Sequence, residues 1–230
     1  MKNYRHIFFD LDRTLWDFQK NSSETLLHVL DEFDLHKVIK NQELFIEKYN
    51  FFNDRLWVYY RSGKIKKHEL RQERFRMLLH HFHVDDEKLI AAISRFYLNT
   101  NPRKSALIPG AVDVLEYLSK KYTLYVISNG FYDVQLTKMI SSGISRYFRK
   151  LFTSDRIGYA KPRSGIFNYA ISSVNARKNE SVMVGDDAIN DVHGACHARI
   201  DQVFLNPEQE VIEIKPTYEI RKLEELKEIF

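Results

Sequence analysis

The sequence predicts an α/β fold in which a Rossmann-like parallel sheet carries an inserted α-helical domain. A short apolar run at residues 7–11 predicts a first strand near the start of the chain. Residues 17–100 contain one glycine, Gly63, and their apolar side chains recur at helical spacing. From residue 101 to 230, short apolar runs alternate with helix-length segments, as in a parallel sheet covered on both faces. The predicted sheet domain is therefore residues 1–16 with 101–230, and the predicted helical domain is residues 17–100.

The first predicted strand ends in two carboxylates, Asp10 and Asp12. In the inserted segment that follows, the apolar spacing predicts about four helices, with the clearest internal turn at residues 61–64. The apolar repeats that predict these helices are Leu26, Val29, Leu30 and Phe33, then Phe45, Tyr49, Phe52 and Leu56, then Leu70, Phe75, Leu78 and Leu79.

The second half of the chain predicts an alternation of strands and helices. In order, the pattern predicts a helix at 110–121, a strand at 124–128, a helix at 133–142, a strand near 151–153, a helix at 163–174, a strand at 181–184, a helix at 189–197, a strand at 203–205, and a short strand and helix within 218–230. Ligands of such open sheets bind beyond the carboxyl ends of the strands, so the residues there are the candidate site.

The composition argues against a nucleic-acid-binding protein, a membrane-spanning protein and a disulfide-bonded protein. The 230 residues carry 35 basic and 31 acidic side chains, a net charge of +4, which is too mild to indicate nucleic-acid binding. Because no apolar run is long enough to span a bilayer and the N-terminal residues lead directly into a strand, we expect a cytoplasmic protein without a membrane partner. The single cysteine, Cys196, excludes an internal disulfide, and we expect it to pack against the sheet. The oligomeric state stays open, and a monomer is compatible with the sequence.

Four predicted strand ends carry polar clusters. The clusters are Asp-Leu-Asp-Arg-Thr at 10–14, Ser-Asn-Gly at 128–130, Lys-Pro at 161–162, and Gly-Asp-Asp at 185–187 followed by Asp191. Each cluster alone is a common turn or helix cap. Four of them at one sheet edge supply the groups that phosphoryl chemistry requires.

The residue types in these clusters favour a magnesium-assisted reaction on a phosphate. Asp10, Asp12 and Asp186 would repel one another unless a cation lies between them, and hard oxygen ligands suit Mg²⁺. At an effective dielectric constant near 20, a lysine ammonium about 4 Å from a phosphoryl oxygen is worth about 4 kcal/mol, a role available to Lys161. Thr14 and Ser128, with nearby backbone N–H groups, would hold the remaining phosphoryl oxygens.

These four motifs, in this order, resemble those of the haloacid dehalogenase superfamily of phosphatases, and the resemblance spans essentially the whole chain. It implies that Asp10 is the nucleophile that forms an aspartyl-phosphate. It implies that Asp12 is the general acid and base, with a backbone carbonyl that binds Mg²⁺. Members that displace halide lack an aspartate at this position, so Asp12 favours hydrolysis of a phosphate ester.

The resemblance also assigns the remaining site residues. Lys161 is the catalytic cation, and Asp186 joins Asp10 and Asp12 as a magnesium ligand. Asp187 and Asp191 belong to the outer shell, where a carboxylate orients metal-bound water or the lysine. From the chemistry of the side chains and their strand-end positions, we expect Thr14, Ser128 and Asn129 to bind the phosphate.

The inserted domain, by the same resemblance, is a mobile helical cap that excludes water and supplies specificity. Residues 53–57, 63–65 and 74–75 are similar to the cap of the branch that hydrolyses pyrimidine nucleoside 5′-monophosphates. The expected substrate is thus a small phosphate ester, preferably a nucleotide. Trp57, Tyr59 and Tyr60 would stack a base; in the alternative, Trp57 and Phe75 simply fill the core of the cap.

Two alternatives compete with a nucleotidase. A sugar-phosphate phosphatase or a phosphoglucomutase-like enzyme would use the same scaffold. A signalling receiver domain also combines acidic residues, Ser or Thr, and Lys around a phosphorylated Asp. However, a receiver places its acidic pair on the first strand, whereas here the order is nucleophile, serine, lysine, acidic pair.

Overall fold

The computed structural model describes residues 2–230, which form two compact units. One unit comprises the described residues up to Phe18 together with Arg103–Phe230, and the other is Gln19–Pro102. None of the helices in this described part of the chain is both long enough and apolar enough to cross a membrane.

The secondary structure alternates as predicted in the larger unit and is helical in the smaller one. The strands are β1 (His6–Phe9), β2 (Thr123–Ser128), β3 (Phe148–Thr153), β4 (Ser181–Gly185), β5 (Asp201–Leu205) and β6 (Tyr218–Ile220). The α-helices are α1 (Phe18–Glu32), α2 (Gln42–Arg61), α3 (Lys67–His81), α4 (Glu87–Thr100), α5 (Ala111–Ser119), α6 (Tyr132–Ser141), α7 (Ser154–Ile157), α8 (Ser164–Ser173), α9 (Gly194–His197) and α10 (Leu226–Ile229).

The strands form one parallel sheet in the order β3-β2-β1-β4-β5-β6, which confirms the predicted fold class. The first strand lies in the middle, with Phe9 opposite Val126 of β2 and Val184 of β4. Ile7 and Phe9 pack on one face of the sheet and Phe8 packs on the other. Because both faces are covered, the strand is apolar at Ile7, Phe8 and Phe9 in succession rather than at alternate positions.

The two chain segments that connect the units run side by side in the larger unit. The Asp17 N–H donates to the Ala106 carbonyl at 3.1 Å, and the Ile108 N–H donates to the Leu15 carbonyl at 2.9 Å. Trp16 is fully buried there and forms a β-bridge with Leu107.

Helices α1 to α4 bury a core of their own in the smaller unit. Phe75 and Tyr97 belong to this core, whereas Trp57 is half-buried and lies outside it. The N-termini of α2 and α4 are capped by the side chains of Asn41 and Asp86, which accept backbone N–H groups.

Two details differ from the sequence predictions. The helix predicted at 189–197 is a π-helix, Ala188–His193, that continues into α9. The expectation that Cys196 packs against the sheet is wrong, because Cys196 is exposed. Ala195 and Ala198 point into the core from this turn, so the helical spacing turns the intervening cysteine outwards.

Candidate active site

Asp10 follows β1 directly and lies at the carboxyl edge of the sheet. Its N–H donates to the Val184 carbonyl of β4 at 2.9 Å, so the neighbouring strand holds its backbone. The chain then turns sharply: Arg13 adopts a left-handed conformation with φ of 67°, and its N–H donates to the Trp16 carbonyl at 2.8 Å. Asp12 precedes this turn and lies near enough for its charge to help raise the pKa of Asp10, after burial and the charge of Asp191.

Lys161 is buried between two carboxylates. Its Nζ lies 2.5 Å from Asp10 Oδ1 and 2.5 Å from Asp191 Oδ1, and it also donates to the Ile127 carbonyl at 3.0 Å. Its backbone is held by the Asn129 side chain, which accepts the Lys161 N–H at 2.7 Å and donates to the Lys161 carbonyl at 3.0 Å. The second and third polar clusters are therefore joined by a pair of hydrogen bonds.

Asp10, Asp186 and Asp191 form an acidic trio whose nearest oxygens all lie within 4.8 Å of one another. Burial raises the pKa of Asp10 to about 7, with Lys161 opposing the rise and Asp191 adding to it. Burial raises the pKa of Asp186 to about 7, and the nearby charge of Asp10 adds to it. Burial likewise raises the pKa of Asp191 to about 6. Because these buried carboxylates are close enough to repel one another, their negative charge is favourably neutralised either by a proton or by a bound cation.

The donor set of the trio fits magnesium. Carboxylate oxygens are hard ligands, and the described cluster contains neither histidine nor cysteine. Burial alone would lower the pKa of Lys161, but Asp10 and Asp191 outweigh burial and raise its pKa above the ordinary value. The lysine therefore stays charged, and its one ammonium is outnumbered by the three carboxylates around it.

A π-helix and a glycine bring Asp191 into this cluster. The N–H groups of Asp191 and Val192 both donate to the Asp187 carbonyl, at 2.9 and 3.2 Å, where the wider helix begins. A Cβ on Gly185 would lie 2.3 Å from Asp191 Oδ2, so only glycine lets this carboxylate approach the end of β4. Asp191 then accepts Lys161 Nζ on one oxygen and the Asp187 N–H on the other, the latter at 3.2 Å.

Asp187 and Thr14 also have defined partners. The Asp187 carboxylate caps the π-helix by accepting the N–H groups of Ile189 at 2.9 Å and Asn190 at 2.8 Å. The Thr14 hydroxyl donates to Asp186 Oδ1 at 2.9 Å.

Asp12 belongs to a second cluster, built with two residues that the sequence reasoning missed. Lys138 Nζ lies 2.5 Å from Asp12 Oδ1, and Gln135 Nε2 lies 2.8 Å from Asp12 Oδ2. Gln135 Nε2 also donates to Ser128 Oγ at 2.7 Å. Both missed residues lie on α6, and both are buried.

The signal for these two residues was their position in the helix after the second polar cluster. Gln135 and Lys138 are three residues apart, so they share a face of α6, and that face is turned toward the edge of the sheet. A glutamine and a lysine are rarely buried on a helix face unless they have hydrogen-bond or ion-pair partners there.

The structure thus brings together most of the predicted site residues. Asp10, Lys161, Asp186, Asp191 and Thr14 share one cluster, and Asp12 and Ser128 share the cluster linked by Gln135. The side chain of Asn129 holds the backbone of Lys161, and that of Asp187 caps a helix. The Asn129 backbone N–H is then a candidate donor to a phosphate.

Comparison with known proteins gives consistent matches. The sequence profile of haloacid dehalogenase-like hydrolases matches residues 7–205. The chain is 32% identical to YfnB of Bacillus subtilis (strain 168), over 98% of this chain and 95% of that one. It is 30% identical to the pyrimidine 5′-nucleotidase PynA of Streptococcus pneumoniae (strain ATCC BAA-255 / R6), over 97% and 93%. It is also 30% identical to the pyrimidine 5′-nucleotidase YjjG of Escherichia coli (strain K12), over 97% and 96%.

The fold comparison agrees with the sequence comparison. A crystal structure of YfnB from Bacillus subtilis, bound to magnesium and described as revealing interdomain movement, superposes with a TM-score of 0.89. The superposition covers 99% of each chain at 30% identity.

Proposed function

The chain belongs to the haloacid dehalogenase-like hydrolases and is a phosphoric monoester hydrolase, and we propose that it hydrolyses nucleoside 5′-monophosphates through an aspartyl-phosphate on Asp10. The observation that carries this proposal is the position of Lys161, 2.5 Å from both Asp10 and Asp191 inside the acidic trio. This arrangement sets a nucleophilic carboxylate beside a fixed cation, as an attack on a phosphoryl group requires.

The reaction proceeds in two displacements. In the first, an Asp10 oxygen attacks phosphorus, the bond from phosphorus to the ester oxygen breaks, and the leaving oxygen takes its proton from Asp12. In the second, water attacks phosphorus and gives a proton to Asp12, and the bond between phosphorus and the Asp10 oxygen breaks. Both carboxylates return to their starting states, so the cycle is closed.

Lys161 and the polar groups around Asp10 orient and neutralise the phosphoryl oxygens. Lys161 stays protonated through both displacements, because its carboxylate neighbours raise its pKa. Ser128, which belongs to the Asp12 cluster, offers its hydroxyl as a donor, and the Asn129 backbone N–H is a second donor at the same strand end.

Mg²⁺ would be held by the side chains of Asp10 and Asp186 and by the backbone carbonyl of Asp12. When bound, it neutralises negative charge on the phosphoryl group and between the carboxylates. Both oxygens of Asp191 already accept hydrogen bonds, which supports an outer role for Asp191 in holding Lys161. The Thr14 hydroxyl supports Asp186 in the same manner.

We propose that the helical unit is the cap that selects the nucleotide. Two relatives named as pyrimidine 5′-nucleotidases cover 97% of this chain, cap region included. The end of α2 carries a half-buried group of aromatic side chains, Trp57, Tyr59 and Tyr60, in which the Trp57 and Tyr60 rings meet edge to face at 5.7 Å. Lys64 Nζ lies 5.5 Å from the centre of the Tyr59 ring. Aromatic and cationic groups together suit a base and its phosphate.

Phosphate release from a panel of substrates tests the proposal. Nucleoside 5′-monophosphates are compared with sugar phosphates, and products from a hexose phosphate are analysed for a shifted phosphate, which would indicate a mutase. We expect the highest kcat/KM on nucleotides, and loss of activity in EDTA and in Asp10→Asn. The matched control is Asp34→Asn, a change at a largely exposed carboxylate. Activity that survives the chelator or Asp10→Asn contradicts the mechanism, and a clear preference for sugar phosphates contradicts the substrate class.

A further inference from the structure

Gln135 is placed between two groups of the proposed reaction, the Asp12 carboxylate and the Ser128 hydroxyl. Its Nε2 carries two N–H bonds and has two acceptors, Asp12 Oδ2 at 2.8 Å and Ser128 Oγ at 2.7 Å. Asp12 Oδ2 accepts from the amide nitrogen, and Asp12 Oδ1 accepts from Lys138, so the NH2 end of the Gln135 amide faces Asp12. The amide oxygen, Gln135 Oε1, is buried and has no hydrogen-bond partner in the described residues.

The hydrogen bonds to Ser128 determine what its hydroxyl can do. A serine oxygen has two lone pairs and one proton. The Gln135 amide at 2.7 Å and the Gly130 N–H at 3.1 Å use both lone pairs. The one remaining hydrogen-bonding function is donation of the O–H proton. Because Gln135 of α6 and the Gly130 N–H fill both acceptor sites, the Ser128 hydroxyl is available only as a donor, for example to a phosphoryl oxygen of the substrate.

Lys138 holds the other oxygen of Asp12 from the same helix. Its Nζ lies 2.5 Å from Asp12 Oδ1 and 4.2 Å from the centre of the Trp16 ring, and the residue is 4% exposed. The ring faces the ammonium and limits its alternative positions. Asp12, whose side chain is 27% exposed, is therefore held at both oxygens while one side stays open.

We propose that Gln135 and Lys138 are positioning residues: Gln135 directs the Ser128 O–H to the phosphoryl group, and the pair holds the Asp12 carboxylate in one orientation for proton transfer. This inference rests on the proposed function. It deepens that function by joining phosphate binding and proton transfer through one side chain of α6.

Two substrates with different leaving groups distinguish an effect on proton transfer by Asp12 from an effect on phosphate binding by Ser128. Uridine 5′-monophosphate releases an alkoxide that needs a proton from Asp12, whereas p-nitrophenyl phosphate releases a stable phenolate that does not. Lys138→Met removes the hydrogen bond to Asp12 and leaves both donors to Ser128 in place, and we expect it to slow phosphate transfer from the nucleotide by about tenfold or more. In the same variant the pre-steady-state burst of p-nitrophenol keeps its rate, and only the later turnover, in which Asp12 acts as base, is slower. We expect Lys138→Arg to restore both reactions in part, since it keeps the charge.

Gln135 variants test the second role. Gln135→Leu removes the donor to Ser128, so we expect the burst with p-nitrophenyl phosphate to slow by about tenfold or more and the nucleotide reaction to slow further. Gln135→Glu keeps the shape but offers an acceptor to Ser128, which reverses that hydrogen bond, and we expect at least as large a loss. Gln42→Leu and Lys120→Met make the same changes at exposed positions and serve as controls. Thermal unfolding of each variant identifies any that fail to fold.

The outcomes distinguish this inference from the proposed function. If the wild-type protein and both controls are active but Lys138→Met slows the p-nitrophenol burst as much as phosphate transfer from the nucleotide, or the folded Gln135 variants match wild type, the positioning roles are refuted. If wild type releases no phosphate from either substrate, or Asp10→Asn still gives a burst, the proposed function itself fails.

Discussion

Magnesium and protons compete for the same oxygens in the acidic trio, and the competition has a predictable size. Asp10 and Asp186, the two proposed side-chain ligands, each have a pKa of about 7. Below that pH each is mostly protonated, so binding of one ion displaces about two protons. The apparent dissociation constant for Mg²⁺ should then fall about 100-fold between pH 5 and pH 6 and level off above pH 8. Lys161 stays charged over this range and does not contribute to the slope.

Isothermal titration calorimetry at several pH values measures this slope directly. Repeating the titration in buffers of different ionisation enthalpy counts the protons released. In Asp186→Asn, which removes one titrating ligand, we expect weaker binding and a release close to one proton. An affinity for Mg²⁺ that is the same at pH 5.5 and pH 7 would refute the reasoning, because the raised carboxyl pKa values require a pH dependence.

The same raised pKa values predict how the metal-free protein responds to pH. A carboxyl group with a raised pKa in the fold favours folding most at pH below its unfolded pKa, and this contribution is lost as the pH rises through the folded value. For Asp186, a rise from 3.8 to about 7 corresponds to about 4 kcal/mol lost between pH 4 and pH 8. We therefore expect thermal unfolding in EDTA to show a smaller loss over this range for Asp186→Asn than for wild type. We also expect Mg²⁺ to stabilise the wild type more at pH 8 than at pH 5.5.

Other residues give further predictions. Gly185→Ala places a methyl group 2.3 Å from Asp191 Oδ2. We expect the free energy of unfolding in urea to fall by about 1–3 kcal/mol and kcat to fall at least about tenfold. An unchanged kcat would show that the Asp191 carboxylate can move without affecting the reaction. Phe75→Ala removes a fully buried ring and should cost about 3–5 kcal/mol. Trp57→Ala, at a half-buried position, should cost far less and instead raise the KM for nucleotides; a cost like that of Phe75→Ala would favour a purely structural role. Cys196 is exposed, so Cys196→Ser should shift unfolding by no more than about 0.5 kcal/mol, and a larger shift would contradict its placement.

The fold could be predicted because the buried strands of a parallel sheet appear in the sequence as short, uninterrupted apolar runs. Residues 7–9 are apolar without interruption, since both faces of β1 are covered, and the glycine-poor helical spacing of residues 17–100 is just as plain. Position at the carboxyl edge followed from topology, which is why Asp10 and Lys161 were expected near each other although 151 residues separate them.

What escaped prediction depends on geometry that spacing does not encode. The π-helix at Ala188–His193 inserts one residue into a turn, and nothing in its composition distinguishes it from an α-helix. Gln135 and Lys138 lie within the helix predicted at 133–142, and spacing alone gives no sign of their partner, because Asp12 is more than 120 residues away in the sequence. Cys196 was misplaced for a related reason, since the α-helical phase begins only after the π-helix ends.

The hydrogen bond between the Asp17 N–H and the Ala106 carbonyl, with its neighbour between Ile108 and Leu15, has an evolutionary consequence. A segment whose entry and exit are adjacent can be exchanged, lengthened or deleted while the two ends still meet. Selection could then replace the 84 residues from Gln19 to Pro102 as a cassette, leaving the reactive carboxylates untouched. New substrate specificities would in this way arise by recombination at the two adjacent connecting segments, while the catalytic residues are inherited unchanged.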